Sequence, residues 1–366
     1  MTLVGIVGGG QLGMMLAEAA IGLGIECVTL DPAIDSPASR LAPAIVGAYD
    51  DETALAELAA TADVVTYEFE NVPVASARFL AERVEVFPPP ESLEFAQDRV
   101  LEKTLFEEVG LAVAPFSPVS SRDELAEALE MIGVPSVLKT RRLGYDGKGQ
   151  VRLAGVGEAD DAWREVGELP SILESWVPFE RELSILGVRG QDGRAAFYPL
   201  VENRHRHGIL RVSVAPAPDV AAELQATAER LALAVMERLG HVGVLAIELF
   251  QVGRDLFGNE MAPRVHNSGH WTIEGAETSQ FENHLRAICG LGLGSTSAAS
   301  YSGMVNLIGS APPDGAFDLG PGVHLHLYGK ESRPGRKIGH VTVIGPDPIT
   351  RDRVLGGVTR MADNQG

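Results

Sequence analysis

The stretch Gly243-Val244-Leu245-Ala246-Ile247-Glu248-Leu249-Phe250, resumed after a turn as Asn259-Glu260-Met261-Ala262-Pro263-Arg264-Val265-His266-Asn267-Ser268-Gly269-His270-Trp271, decides how the chain is read. Val244, Ala246, Glu248 and Phe250 alternate with Leu245, Ile247 and Leu249, the pattern of a strand apolar on both faces and interrupted on one by Glu248. A lone buried carboxylate is costly. Gly253, Asp255, Gly258 and Asn259 are turn formers, so a hairpin folded about Arg254 puts Glu248 and Glu260 equally far from the turn and opposite each other. Like charges so placed repel. A divalent cation between them reverses the sign, and two carboxylates plus phosphate oxygens are how Mg²⁺ is usually held. The competing reading leaves Glu260 in solvent and pairs Glu248 with an arginine such as Arg264. Asn259, Arg264 and the polar run His266 to His270, which neither a core strand nor an amphipathic helix requires, favour the metal.

Around this hairpin, 366 residues suffice for a large core and two or three domains. The balance of 30 Lys+Arg against 50 Asp+Glu gives a net charge of −20, which opposes non-specific binding to nucleic acid or an anionic membrane. An anionic ligand must therefore be met by a local cluster of cations. Residues 2–10 are apolar but broken by glycines and too short to span a bilayer, so they read as a first strand. Cys27 and Cys289 are the only cysteines, far apart in sequence, which fits a reducing cytoplasm and excludes a cysteine zinc site.

Val4 to Val7 leads into Gly8-Gly9-Gly10-Gln11-Leu12-Gly13, after which Leu12, Met15, Leu16, Ala19 and Leu23 repeat at helical spacing. Strand, glycine turn and helix make a Rossmann-like beginning, with Asp31 at the end of the next strand where a ribose-binding acid would stand. The helix N-terminus could receive a phosphate; glycines needed only for tight strand-to-helix packing explain the turn equally well. A doubly wound parallel sheet then covers roughly the first ~95 residues. Glu70 and Asn71, just past the strand at residues 63–67, stand where open sheets place ligands, unless they simply cap the following helix. Pro88-Pro89-Pro90 is the candidate domain boundary.

Beyond it, a helix opens at Asp98-Arg99, and a strand delivers Lys139 into Thr140-Arg141-Arg142-Leu143-Gly144-Tyr145-Asp146-Gly147-Lys148-Gly149-Gln150. A glycine-spaced loop surrounded by four basic residues suits closure over a triphosphate, and it is not the phosphate-loop consensus. Glu174-Ser175-Trp176-Val177 ends a strand and begins a hinge suited to an adenine ring, which needs an apolar slot with backbone donor and acceptor. Ordinary hairpin packing is the alternative there. His205 and His207 fit polar contacts to a nucleotide better than zinc, which lacks a third ligand at a known spacing. Residues 220–239 read as a long amphipathic helix. Lys330, Arg333, Arg336 and Lys337 form a basic cluster suited to a phosphate monoester.

Taken together, these motifs resemble the N5-carboxyaminoimidazole ribonucleotide synthetase family, ATP-dependent carboxylating enzymes of purine biosynthesis in the ATP-grasp superfamily. The resemblance covers essentially the whole chain; residues 260–271 and 330–340 are its specific parts. It implies an α/β and α+β architecture with an ATP-grasp fold: a Rossmann-like domain at residues 1–98, a lid and first nucleotide-binding part at 99–176, and a larger C-terminal part at 177–366. It implies ATP contacts from Arg99, Lys139, Gly144, Tyr145, Asp146, Gly147, Lys148, Gly149, Gln150, Glu174, Ser175, Trp176, Val177, Glu182, His205, Asn259 and Glu260, with Mg²⁺ on Glu248 and Glu260. Gln11, Glu70, Tyr145, Lys148, Arg264, Lys330 and Arg336 would surround 5-aminoimidazole ribonucleotide, with Arg264, Lys148 and Tyr145 acting on the reacting groups and bicarbonate as co-substrate. A cytoplasmic homodimer without nucleic-acid or membrane partners is the implied setting. Two departures stand out: Met14 where many relatives carry Arg, and Leu143 where many carry Gly, which would stiffen the lid. A formate-using relative, a nicotinamide-dependent dehydrogenase built on Gly8 to Gly13, and a non-catalytic nucleotide-binding module are the alternatives.

Overall fold

The computed structural model describes residues 2–144, 147–313 and 315–364. Alternating apolar strands and amphipathic helices wind the first sheet, in the order Ala44–Val46, Glu26–Asp31, Leu3–Val7, Val64–Tyr67 and Glu85–Val86, all parallel. The direction of winding reverses between Leu3–Val7 and Val64–Tyr67. The crevice beyond the carboxyl ends of those two strands, where Gly8 and Glu68 follow, is where such sheets receive ligands. Helix Gln11–Leu23 buries Leu12, Met15, Leu16 and Ala20 and packs on the distant helix Gln280–Ile288, which joins the first sheet to the rest.

Pro88 to Pro90 is less of a break than its composition suggests. Pro90 occupies the first turn of a helix, Pro90–Gln97, where a missing N–H costs nothing. Asp98 caps the next helix, Arg99–Glu108, by accepting from the N–H of Val100 and Leu101. That helix and the strand Ala112–Val113 pack on the large sheet described below.

A four-stranded antiparallel sheet follows, ordered Phe116–Val119, Ser171–Ser175, Ser136–Thr140 and Gln150–Leu153, with Leu125, Leu129, Leu138 and Trp163 in its core. A ten-stranded sheet carries the opening hairpin, Gly243–Val252 with Asp255–Ala262, beside Arg181–Arg189. Helix Ala222–Arg238 covers one part of it through Leu231, Val235 and Met236. The closing helix Pro348–Asp363, capped by Asp347 and absent from the sequence reading, covers another through Leu355 and Val358. No helix among the described residues is long and apolar enough to cross a membrane.

Candidate active site

The two glutamates do lie side by side, but by a route that spacing alone misses. The hairpin turn centres between Gly253 and Arg254, because Val252 pairs with Asp255. A regular ladder about that centre would put Asn259 opposite Glu248. A one-residue bulge intervenes: Leu249 pairs with Gly258 and Glu248 with Glu260, so Asn259 is the extra residue and both it and Glu260 line the same cavity. Burial, and next the charge of Glu260, hold the Glu248 carboxyl above the usual range. Burial also opposes ionisation of Glu260, but Arg99 and then Lys139 overcome it and bring that carboxyl down. Arg99 Nη1 donates to Glu260 at 3.1 Å, and His266 Nε2 stands 3.5 Å from Glu248. Arg264, the alternative partner for Glu248, instead donates through Nε to Glu70 at 2.5 Å.

The cavity measures about 670 Å³ and runs between all three sheets. Of the expected residues, Gln11, Glu70, Arg99, Lys139, Gly144, Gly147, Lys148, Gln150, Glu174, Ser175, Trp176, Val177, Glu182, His205, Glu248, Asn259, Glu260 and Arg264 line it, as does Asn71. Tyr145 and Asp146 lie outside the described residues. Gly149 does not line the cavity. Its carbonyl accepts from the Thr140 N–H at 2.7 Å, and a Cβ there would lie 2.6 Å from Thr140 Oγ1, so this glycine permits the loop to close on its own strand.

The end of the cavity lined by Lys139, Glu174 and Trp176 is built around a buried ion cluster. Glu174, 3% exposed, receives Lys103 Nζ at 3.2 Å and Lys139 Nζ at 3.1 Å. Burial resists its ionisation, yet Lys103, Lys139 and Arg99 push its pKa down to about 2. Its carboxylate therefore serves as counter-charge to the lysines and is not held out at a strand end. The hinge that follows leaves the four-stranded sheet for the ten-stranded one, so it is no hairpin. The N–H groups of Ser175 and Trp176 donate to the carbonyls of Pro115 and Pro135. Trp176, Val177, Phe179 and Phe250 line this end, with the Phe179 and Phe250 rings stacked at 4.5 Å. His205 Nδ1 and Glu182 share a hydrogen bond of 2.5 Å; burial works against the imidazolium, and Glu182 and Glu248 outweigh it, so His205 titrates above the ordinary histidine range.

The loop's basic residues divide by partner. Lys139, Arg141, Arg142 and Lys148 all line the cavity, but Arg141 and Arg142 are bound to Asp98 there, at 2.6 and 2.9 Å, and Lys139 to Glu174 at 3.1 Å. Leu143 is 73% exposed and holds φ +63°, a left-handed conformation that costs a side chain about 1 kcal/mol and that glycine adopts freely. The leucine at this position therefore carries backbone strain that a glycine would not.

At the far end, the glycine turn is occupied from within. Glu68 accepts from the N–H of Gly10 at 2.5 Å and of Gly13 at 2.6 Å, and Asp31 accepts from Gly9 N–H and Tyr49 Oη, each at 2.8 Å. A Cβ on Gly10 would lie 2.3 Å from Glu68 Oε1. A protein carboxylate thus takes the donors that a dinucleotide's pyrophosphate would need, and Asp31 is committed where it would meet a ribose. The basic cluster also divides. Lys330 Nζ donates to Gln11, bringing it to the cavity's rim, and Arg336 is turned outward to the Glu331 carbonyl at 3.4 Å. Lys330 and Arg336 are thus not among the lining residues, whereas Lys337 is.

Sequence reasoning singled out the run His266 to His270 without giving its residues a contact, and it passed over Phe179 and Glu102; His266, Asn267, Phe179 and Glu102 all line the cavity. Asn267 gives the clearest signal, since its Oδ1 and Nδ2 are both buried without a hydrogen-bond partner. A ligand or an ordered water would satisfy them. Among the described residues no group of three or more His, Cys, Asp or Glu could hold a metal ion by itself. A pair of facing carboxylates is nonetheless the donor set for a metal that takes its other ligands from phosphate and water.

Buried titratable groups also set the acid stability. Burial lowers His241 to about 4 and His270 and His284 to about 3, and it lowers His266 and His340 well below the usual 6.5. Burial raises Glu102 to about 8 and holds Glu68 and Glu248 up as well. The histidines' contribution is complete above the unfolded value of 6.5 and lost as pH falls. The three carboxyls act oppositely, because protonation relieves their burial. Near pH ~5.5 the five histidines, charged in the unfolded chain and neutral in the folded one, outnumber the three raised carboxyls, so stability should fall as the pH drops. Below about 4.5 the unfolded carboxyls also take up protons, and the slope steepens. Urea midpoints measured from neutrality to acid check this; a flat profile would rule out the neutral buried histidines.

Comparison with known proteins agrees with this geometry. Residues 1–97 match the ribonucleotide synthetase preATP-grasp domain, 104–281 the ATP-grasp domain, and 302–352 the phosphoribosylaminoimidazole carboxylase C-terminal domain. The chain is 49% identical to the N5-carboxyaminoimidazole ribonucleotide synthase of Pseudomonas aeruginosa, covering 95% of this chain and 96% of that one. The crystal structure of the Thermus thermophilus N5-carboxyaminoimidazole ribonucleotide synthetase is 52% identical and superimposes with a TM-score of 0.94 over 98% of each chain. The Aspergillus clavatus N5-carboxyaminoimidazole synthase, solved with ADP and 5-aminoimidazole ribonucleotide, is 32% identical with a TM-score of 0.93 over 99% of each chain. With identity of this degree along the whole chain, and an ATP-grasp arrangement of sheets about one cavity, the protein belongs to the N5-carboxyaminoimidazole ribonucleotide synthase family.

Proposed function

We propose that this chain uses ATP, Mg²⁺ and bicarbonate to carboxylate the amine of 5-aminoimidazole ribonucleotide. The observation that carries the reading is the in-register pair Glu248 and Glu260 inside one cavity that joins an aromatic, lysine-bearing end to the carboxyl ends of the first sheet. The same reading divides the chain at residues 98 and 176.

In this reading the base lies among Trp176, Val177, Phe179 and Phe250, and Lys139 and Lys148 meet the phosphates. Glu248 and Glu260, with Asn259 beside them, would hold Mg²⁺, which when bound offsets charge developing on the transferred phosphoryl group. A bicarbonate oxygen attacks the γ-phosphorus, ADP leaves, and the resulting carboxyphosphate gives its carboxyl group to the substrate amine, directly or after release of CO₂. Inorganic phosphate departs, and the amine loses its proton. Asn267, with its unmatched donor and acceptor, together with Arg264, His266 and Lys337, suits the small anion and its phosphorylated product. Burial and then Arg264 hold His266 well below the usual histidine range, so it meets that anion as a neutral imidazole, with one ring nitrogen donating and the other accepting. Gln11, Glu70 and Lys330 lie toward the ribonucleotide. Closure of the loop around Gly147 would keep water from the carboxyphosphate.

ADP release measured with ATP and Mg²⁺, omitting aminoimidazole ribonucleotide and bicarbonate in turn, tests this. Full turnover should require both. Undiminished product-forming turnover with formate in place of bicarbonate would reject it.

A further inference from the structure

The strand that carries Glu260 is held from its open edge by a helix. Asp255–Ala262 pairs with Gly243–Val252 on one side, but on the other only Phe257 and Gly258 meet a strand, Ala112–Val113. Past Gly258, two side chains of helix Arg99–Glu108 stand in for the missing backbone. Lys103 Nζ donates to the Gly258 carbonyl at 2.9 Å, and Glu102 Oε1 accepts from the Met261 N–H at 2.6 Å. Each of these residues is 1% exposed. The two bonds bracket the bulge, with Asn259 and Glu260 between them.

A bulge interrupts the ladder, so the ladder does not determine where the bulged residues point. Here both flanks are tied from outside the sheet. We propose that Glu102 is a positioning residue: through the Met261 N–H it holds the Glu260 carboxylate at the separation from Glu248 that a divalent cation requires. This inference rests on the assignment of that pair to the metal. Glu102 acts through the backbone of its neighbour strand and contributes little to holding the base, which sits at the other end of the cavity.

The test is calorimetric binding of ADP with and without Mg²⁺, where the quantity read is the gain in affinity that the metal provides. Glu102→Ala should lower that gain at least about tenfold while metal-free ADP affinity stays within about twofold. Glu102→Gln should preserve it, because the amide oxygen accepts from the same N–H. An unchanged gain in Glu102→Ala overturns the proposal. So does an equal loss in Glu102→Gln, or a parallel loss of metal-free affinity, which would mark a merely structural residue. If Glu102→Ala does not fold, Glu102→Asp, one methylene shorter, decides: a reduced gain supports the proposal and a wild-type gain overturns it. Glu260→Gln separates the two levels, since a full metal gain in that variant would refute the metal assignment itself.

Discussion

Glu260→Gln is expected to reduce bicarbonate-dependent ADP formation on the order of 10²–10³-fold, the loss typical of removing one preorganised electrostatic partner of a transition state. Stability should change little, because two effects oppose each other. The variant relieves the repulsion between Glu248 and Glu260, and it deprives Arg99 of its partner at 3.1 Å. With the neighbouring charge gone, the Glu248 carboxyl should also move back toward its ordinary range. Initial rates together with a thermal melt check the claim. Near-normal ADP formation in a folded variant would mean that the paired carboxylates are not what holds the nucleotide's metal.

The second large effect concerns folding. Glu174→Gln should destabilise the protein by about 3–5 kcal/mol, because it leaves the ammonium groups of Lys103 and Lys139 buried without their shared counter-charge. Glu174→Gln combined with Lys103→Met should cost less than the single change, since one uncompensated charge is then removed. Urea unfolding of the two variants measures the difference. A single-variant loss below about 1 kcal/mol would show that water reaches the cluster and screens it.

Several parts of this molecule were legible from local rules. The alternation from Val244 to Phe250, the turn formers after it and the glycine-to-helix turn at Gly8 to Gly13 each depend on period and backbone conformation, which neighbouring residues decide. The same holds for Asp98 as a helix cap. The cavity collects residues from each of these motifs because the strand ends and loops that carry ligand-binding groups are also those with the most distinctive composition.

By itself, the sequence determined the first strand, glycine turn and helix, the long helix at 220–239, the facing glutamates in outline, the glycine loop over Lys139 and the resemblance to a family. Tertiary structure alone decided the bulge that brings Glu260 and not Asn259 opposite Glu248, and the partners that the charged residues find. Glu68 closes the glycine turn 55 residues away, Arg264 binds Glu70 across 194, and Lys330 reaches Gln11 across 319. Local propensity acts over a few residues of chain. A buried charge must find its partner wherever packing leaves one within about 3 Å, and only the assembled sheets determine where that is.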